Sequence, residues 1–190
     1  AMTHAIEAIA AVTATDYTNS LALEAIRILM KYLPRAYKNG AKDELAREKV
    51  HNAATMAGMA FTNAFLGLCH SMAHKLGAMF HLPHGLANAL CLVAGMRFCA
   101  ARQPGVYRRV GLACGLEVQR VPADEADRRT IDFMAQFLAG LGLGSRLRAH
   151  GVKVEQLDAL VAQAIEDPCH QTNVVPVTAA AFRALFLEVI

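Results

Sequence analysis

A chain of 190 residues, of which 55% are hydrophobic, is long enough to bury one substantial core and too short for two full domains. This composition excludes intrinsic disorder, because the apolar surface it can bury offsets the conformational entropy lost on folding. The net charge of +3 balances 19 basic against 16 acidic residues without a basic run interleaved with aromatics, so nothing indicates nucleic-acid binding.

The N-terminal part of the chain has the pattern of helices separated by turn signals. Residues 16–33 carry apolar side chains at helical spacing, and Pro34 is the expected stop of this helix. The pair Asn39 and Gly40 indicates a turn. A second helix is expected to follow, from about residue 43 to the low 60s.

The rest of the chain is helical in pattern as well. A helix is expected over the stretch GLCHSMAHKLGAMFHLPHGLANAL, residues 67–90, with a break near Pro83, where a further helix begins. Shorter helical segments follow at 104–114, 125–140, 152–166 and 178–190. No segment alternates apolar and polar residues as a strand does, so the sequence predicts an all-α domain of about seven to nine helices.

Two runs without charged residues, 50–74 and 76–96, are long enough to cross a bilayer, for which about 20 apolar residues suffice. Histidine, asparagine and other polar residues interrupt both runs, however, and alanine and glycine fill much of the remainder. Helices buried at the centre of a soluble helical domain explain this composition better than a transmembrane span. Their polar side chains then need a reason to be buried.

Five cysteines are scattered through the chain without a Cys-x-x-Cys pair, at positions 69, 91, 99, 114 and 169. Their number and spacing disfavour a disulfide framework or a zinc ribbon, and fit small core residues in a protein of the reducing cytoplasm. The first ten residues lack a signal-peptide pattern. Because an amphipathic pattern is already under way at Ala1, which is not an initiator methionine, we expect the chain to be part of a longer protein.

Four of the eight histidines lie in the stretch 67–90, whose only charged residue is Lys75. His70 and His74 are four residues apart and so share one helix face, where both rings can approach one point. His84 lies beyond the break, and a chain that turns there can fold a third imidazole back toward the first two. Imidazole binds iron, zinc, nickel and copper, so the stretch is a candidate metal site.

Spacing alone leaves another interpretation of these histidines open. A zinc metalloprotease needs glutamate after the first histidine, where this chain has Ser71, and no Glu-x-x-His pair of the ferritin-like di-iron type is suitably placed. On spacing alone, two hydrogen-bonded core histidines without a metal are supported about equally well. For His81 a role without a metal is favoured, and more strongly so for His51, His150 and His170.

Two stretches resemble the signatures of a known family, the iron-containing (group III) alcohol dehydrogenases. Residues 67–90 resemble the second signature of that family, and THAIEA at residues 3–8 resembles the second half of its first signature. The segment KYLPRAYKNGAKDELAREKVHNAATMAGMAFTNAFLG is also similar to the alcohol dehydrogenase half of the bifunctional aldehyde/alcohol dehydrogenases. The resemblance is strong over the first half of the chain.

The resemblance implies one divalent metal, iron with zinc as the alternative, held by an aspartate and three histidines. The three histidines correspond to His4, His70 and His84. His74 corresponds to the family histidine near the nicotinamide, so its implied role is proton transfer beside the cofactor. The aspartate would stand four positions before His4, which is immediately before Ala1.

The same resemblance implies the fold and the reaction. Residues 1–190 correspond to the multi-helical C-terminal metal-binding domain of the dehydroquinate synthase-like fold, and the N-terminal α/β domain that binds NAD(P) has no counterpart, since the sequence lacks a Gly-rich fingerprint. The parent protein would interconvert short primary alcohols and aldehydes in a dry pocket, with small residues such as Ala60, Ala64 and Gly67. A homo-oligomer is implied, and the isolated chain is expected to be inactive.

Two other classes of function stay open at this point. The chain alone could be a helical metal-binding or assembly module without catalytic activity, since bifunctional relatives form filaments. It could also be a metal-free helical interaction domain. Metal analysis separates these hypotheses, because iron or zinc that is lost on His70→Ala or His84→Ala supports a site.

Overall fold

The computed structural model describes residues 1–190 and consists of helices without a β sheet. The α helices are α1 (Met2–Ile9), α2 (Asp16–Asn39), α3 (Glu44–Ala64), α4 (Leu68–Phe80), α5 (His84–Ala100), α6 (Arg108–Ala113), α7 (Ala123–Gly140), α8 (Leu157–Glu166) and α9 (Ala179–Val189). Short 3-10 helices span Leu147–His150, Val154–Gln156 and Pro168–Thr172. The all-α class and the number of helices predicted from the sequence are confirmed.

The two longest helices, α2 and α3, pack along each other after the predicted turn at Asn39 and Gly40. The buried face of α3 is a stripe of alanines at helical spacing, formed by Ala46, Ala53, Ala57, Ala60 and Ala64. Small side chains of this kind let neighbouring helices approach closely. The interpretation of Ala60 and Ala64 as pocket residues is therefore wrong, since both are fully buried in the core between helices.

The prediction that Pro34 ends α2 is also wrong, because the helix continues to Asn39 with the proline inside it. A proline inside a helix costs about 3 kcal/mol or more, so other contacts must hold the last turn. One of them joins this turn to the start of α3: the Arg35 guanidinium donates two hydrogen bonds of 3.0 Å to the carboxylate of Asp43. Asp43 is in turn the N-cap of α3.

The helices α4 and α5 pack against each other in the interior, and most of α5 is buried. Both charge-free runs thus contribute to the core, as their composition predicts. None of the helices has the length and apolar content needed to traverse a bilayer. All five cysteines are free, and Cys69, Cys91 and Cys99 are buried in this core.

A short backbone pairing brings the C-terminal part of the chain next to the first helix. Ala11 and Asn173 form an isolated antiparallel bridge. Around it, the Val12 N–H donates to the Thr172 carbonyl at 2.9 Å, and the Val174 N–H donates to the Ala10 carbonyl at 2.8 Å. The segment that contains the last 3-10 helix is thereby fixed beside α1 and α4, which carry the histidines considered next.

Candidate metal centre

Three histidines from three helices meet at one point. His4 lies in the first turn of α1, His70 in the first turn of α4, and His84 is the first residue of α5. One ring nitrogen from each lies within 4.8 Å of the other two. The structure therefore brings together the three histidines that the sequence proposes as ligands, and we call them the metal centre.

The chain reversal between α4 and α5 places His84 near His70. His81 ends α4 in the left-handed conformation, with φ of 55°, and Pro83 precedes the first turn of α5. The ring centroids of His70 and His84 consequently lie 5.3 Å apart. The Asn88 side chain, one turn along α5, donates to the His84 carbonyl at 3.1 Å and holds the start of this helix.

His70, the buried member of the centre, is suited to bind a metal ion. The Nε2 atom of His70 is buried and has no hydrogen-bond partner. Leaving a buried polar atom unpaired costs about 1–3 kcal/mol, so this nitrogen needs a ligand. A metal that binds the three imidazoles would satisfy it, and three histidines are a common donor set for zinc and related ions.

The electrostatics of the centre favour neutral imidazoles, the form that binds metals. Burial, with the positive charge of the neighbouring imidazoles adding to the effect, lowers the pKa of His4 well below its ordinary value of 6.5. The His4 ring is stacked between Phe61 at 4.4 Å and His70 at 4.6 Å, measured between ring centroids. Burial also lowers the pKa of His84, with the neighbouring imidazoles adding to the effect.

A buried carboxylate, Glu7 of α1, lies behind the centre. Its Oε1 atom accepts the backbone N–H of Cys69 at 2.6 Å, and its Oε2 atom lies 2.5 Å from Nδ1 of His70. Sequence analysis did not single out Glu7. The available signal was a charged residue inside the apolar face of THAIEAIA, three positions after His4.

A second group of potential ligands contains His74, Asp167 and Cys169. The Asp167 carboxylate is already engaged by four donors: His74 Nδ1 at 2.9 Å, Lys75 Nζ at 3.2 Å, the Ser71 hydroxyl at 3.2 Å and the Cys169 N–H at 3.0 Å. Burial raises the pKa of Asp167, but the hydrogen bonds from His74, Cys169 and Lys75 outweigh burial and hold this pKa below its usual value. This group is therefore an oriented imidazole with its carboxylate, and we call His74 and Asp167 the His74 pair.

The His74 pair lies at the open edge of the metal centre. The His74 ring is 5.8 Å from the ring of His70 and 5.6 Å from that of His84. Its side chain is 38% exposed, against 1% for His70. Asp167 was missed in the sequence because it follows α8, 93 residues after its partner.

A cavity of about 480 Å³ adjoins both groups. Its lining consists of Phe61, Thr62, Phe65, Leu66, Pro168, Cys169, Gln171 and Thr172. Phe61 also stacks on His4, and Cys169 also belongs to the group around Asp167. Burial, with Asp167 adding to the effect, raises the pKa of the Cys169 thiol to about 12, so the cavity wall carries a neutral thiol at neutral pH.

Gly67 does not line this cavity, contrary to the prediction from the sequence. A Cβ atom at this position would lie 2.7 Å from Oδ1 of Asn173 and 2.8 Å from Oε1 of Glu7. The glycine is needed for close packing at the start of α4. The α5 segment is likewise absent from the cavity lining, since most of it is buried in the core.

The other histidines lie outside the metal centre. His51 and His81 are exposed, and the His150 ring is 2.9 Å from the Ser145 hydroxyl. His170 is buried, and its Nδ1 atom donates to the Asp167 carbonyl at 2.6 Å. Their roles without a metal stay a prediction from the sequence.

The comparisons with known proteins point to one family. The sequence model of the Fe-containing alcohol dehydrogenase family, C-terminal, matches residues 1–190. The chain is 40% identical to the 1-propanol dehydrogenase PduQ of Salmonella typhimurium, covering 100% of this chain and 52% of that protein. It is 38% identical to the bifunctional aldehyde-alcohol dehydrogenase AdhE of Escherichia coli K12, covering 91% of this chain and 22% of that protein.

Among solved structures, that of a 1,3-propanediol oxidoreductase superposes with a TM-score of 0.95 at 30% identity, and covers 100% of this chain and 49% of that one. An alcohol dehydrogenase from Oenococcus oeni gives the same TM-score at 28% identity. The chain thus spans about half the length of these structures. Since the family model matches along the whole sequence, the chain belongs to the Fe-containing alcohol dehydrogenase family and represents its C-terminal region.

Proposed function

We propose that this chain is the metal-binding domain of an NAD(P)-linked alcohol dehydrogenase that interconverts short primary alcohols and aldehydes, with iron, or zinc as the alternative, as its metal. The observation that carries the proposal is the metal centre, in which Nε2 of His70 is buried without a partner in the protein. Membership of the family supports the same chemistry.

In this proposal, imidazole nitrogens of His4, His70 and His84 hold the metal. When bound, the ion supplies Lewis-acid stabilisation of negative charge on the alcohol or carbonyl oxygen. The aspartate that the family resemblance implies would come from the position before Ala1. Because the three histidines come from three helices, the packing of α1, α4 and α5 sets the spacing of the donors.

The His74 pair would handle the proton of the reaction. The Asp167 carboxylate accepts the Nδ1–H of His74 at 2.9 Å, which leaves the lone pair on Nε2. His74 can then take the proton of an alcohol during oxidation and return it during reduction. Its partial exposure gives the proton a route to solvent.

The cavity beside the metal centre would hold the hydrocarbon part of the substrate. Its volume of about 480 Å³ lies in the range of small-molecule sites. Phe61 forms one wall and stacks on His4, so a substrate in the cavity would have its polar end near the centre. Phe65 and Leu66 give the cavity apolar walls, and closure by the rest of the protein would exclude water and strengthen electrostatic stabilisation of developing charge.

The nicotinamide cofactor would bind mainly to a part of the protein outside residues 1–190. This chain has no Gly-rich nucleotide-binding turn and spans 52% of PduQ, a dehydrogenase by name. We therefore propose that it is one domain of a longer enzyme, whose N-terminal α/β domain binds NAD(P) and which forms a homo-oligomer. We call the gene product that contains residues 1–190 the full-length protein.

Metal analysis and one activity assay test the proposal. After anaerobic iron loading, the full-length protein should hold about one metal ion per chain and should oxidise NADH with acetaldehyde. Residues 1–190 alone should not oxidise NADH with acetaldehyde. Absence of metal from the full-length protein would contradict the proposed centre. Metal without dehydrogenase activity would instead support a non-catalytic metal-binding module, and activity of residues 1–190 alone would show that the domain assignment is wrong.

A further inference from the structure

We infer that Glu7 is a positioning residue for the metal centre, because its carboxylate fixes both the tautomer of His70 and the start of the helix that carries His70. The inference rests on the proposed metal-binding function. It explains why the side chain of Glu7 is buried, with 5% exposure, although Glu7 is neither a proposed metal ligand nor a proposed proton-transfer group.

The surroundings of Glu7 make its burial costly without compensation. The neighbouring residues Ala5, Ile6 and Ala8 are fully or almost fully buried in the hydrophobic core. A carboxylate in such a place needs hydrogen bonds to both oxygen atoms. Glu7 has them, from Cys69 N–H on Oε1 and from His70 Nδ1 on Oε2.

The first contact positions α4. Its N-cap residue, Gly67, has no side chain to cap the free N–H groups of the first turn. Two residues from other elements supply the acceptors instead: Glu7 binds Cys69 N–H at 2.6 Å, and Oδ1 of Asn173 binds Leu68 N–H at 3.4 Å. A carboxylate at a helix N-terminus is also favoured by the helix dipole. Because Glu7 and His4 share α1, this contact fixes His70 relative to His4.

The second contact fixes which nitrogen of His70 is free. One proton lies between Oε2 of Glu7 and Nδ1 of His70, so Nδ1 is engaged by this hydrogen bond and only Nε2 of the ring can bind a metal. The lone pair is then on Nε2, which is the buried atom without a partner in the metal centre. A carboxylate behind a ligating imidazole also holds the ring in place and raises its basicity toward a metal.

The substitution Glu7→Gln separates these two contacts. The amide oxygen can still accept Cys69 N–H, so the start of α4 is kept. The amide NH2 group then faces Nδ1 of His70 and favours the opposite tautomer, which places the proton on Nε2. We expect the metal affinity of the full-length protein to fall about 10- to 100-fold, measured with Co²⁺ in competition with a chelator.

A spectroscopic measurement reports the tautomer independently of metal. In the metal-free full-length protein with 15N-labelled histidine, the His70 ring signals should change from the Nδ1–H to the Nε2–H pattern in Glu7→Gln. A variant that keeps the wild-type tautomer would overturn the inference. Wild-type protein that binds no Co²⁺ or Fe²⁺ would instead count against the proposed function, and the tautomer measurement would still test Glu7.

Asp127→Asn is the matched control. Asp127 is 1% exposed and its carboxylate accepts two backbone N–H groups, from Gly105 at 2.6 Å and from Tyr107 at 2.9 Å. It contacts no residue of the metal centre. This variant also removes one buried charge, so it should lower the thermal midpoint and leave metal affinity unchanged. Equal losses of affinity in Asp127→Asn and Glu7→Gln would show a general effect of charge or stability and overturn the inference.

Discussion

Two histidines one turn apart on α4 have similar partners and different surroundings. Nδ1 of His70 faces Glu7 at 2.5 Å, and Nδ1 of His74 faces Asp167 at 2.9 Å. The side chain of His70 is 1% exposed, whereas that of His74 is 38% exposed. A carboxylate behind an imidazole therefore does not decide its role by itself. The two rings differ instead in burial and in the environment of the other ring nitrogen, and Nε2 of His70 is buried without a partner.

The carboxylates that face the two histidines, Glu7 and Asp167, also differ in their hydrogen-bond donors. Glu7 has two donors, both from the start of α4, and both serve to position that helix. Asp167 has four donors, among them the ammonium group of Lys75 at 3.2 Å. The hydrogen bonds from His74, Cys169 and Lys75 stabilise the ionised carboxylate, outweigh burial and lower the pKa of Asp167. The His74 pair is thus a polar site close to solvent, whereas His70 and Glu7 are both buried in the core.

The largest expected effect comes from exchanging one histidine at a time for alanine. His70→Ala should reduce the metal content of the full-length protein to background, because it removes the buried imidazole that is proposed to bind the metal. His74→Ala should retain the metal and lower kcat by about 10²- to 10⁴-fold, the usual contribution of an acid–base group. Metal analysis and steady-state kinetics on the same preparations distinguish the two losses.

His81→Asn is the control for this pair of substitutions, since His81 ends α4 and is exposed. Asparagine tolerates the left-handed conformation found there, with φ of 55°. The variant should keep both metal and activity. If His74→Ala lost metal as fully as His70→Ala, the contrast between the two rings would be wrong.

A second prediction concerns the carboxylate of the more exposed pair. Asp167→Asn should leave the metal content intact and lower kcat by about 10²-fold or more, because the amide no longer fixes the tautomer of His74. Metal analysis and steady-state kinetics on the same preparation measure the two quantities. Ser71→Ala is the control, since it removes one hydrogen bond to Asp167 and leaves the contact with His74 in place. An unchanged kcat in Asp167→Asn would exclude the proposed relay.

A third prediction tests the close packing at the start of α4. Gly67→Ala places a methyl group within 2.8 Å of oxygen atoms of Asn173 and Glu7, so it should lower the free energy of unfolding by about 1–3 kcal/mol and weaken metal binding. Gly58→Ala in α3 is the matched control, because a Cβ there meets nothing within 4 Å. It should stabilise the protein by up to about 1 kcal/mol. Denaturant unfolding measures the change in stability of both variants. Similar stability of Gly67→Ala and Gly58→Ala would show that α4 tolerates a side chain at residue 67.

The sequence predicts the helices and the three histidines of the metal centre because both have local signals. Helical periodicity identifies α2 to α5, and the resemblance to family motifs singles out His4, His70 and His84. Asp167 carries no such signal and Glu7 only that of a charged residue on an apolar face, since the histidines that they contact lie 93 and 63 residues away. Their roles depend on which helices pack together.

Errors in prediction have the same origin. Pro34 has a strong local tendency to end a helix, and the contact between Arg35 and Asp43 joins the turn beyond it to α3. Small residues near a site suit a pocket in principle, but Ala60 and Ala64 pack in the core instead. In each case a contact between two helices outweighs a local preference.

The smallest expected effect is a difference in pH dependence that separates the two groups. The pKa of His4 falls from 6.5 in the unfolded chain to about 3 in the folded chain, mainly through burial. Between these values the unfolded chain binds more protons, so the free energy of unfolding should decrease as the pH falls from about 6.5 toward about 3. The contribution of Asp167, whose pKa is lowered, is present above the ordinary carboxyl value of about 3.9 and is lost only below it.

His4→Phe tests this difference in the metal-free full-length protein. Phenylalanine keeps an aromatic ring between Phe61 and His70 but binds no proton. The free energy of unfolding should therefore fall less steeply from pH 6.5 to 4.5 in the variant, and the difference in slope should correspond to about one bound proton or less. Denaturant unfolding at several pH values in this window measures the slope. Equal slopes for both proteins would mean that His4 is protonated as readily in the folded chain as in the unfolded chain. Burial would then no longer explain why the centre presents neutral imidazoles to a metal.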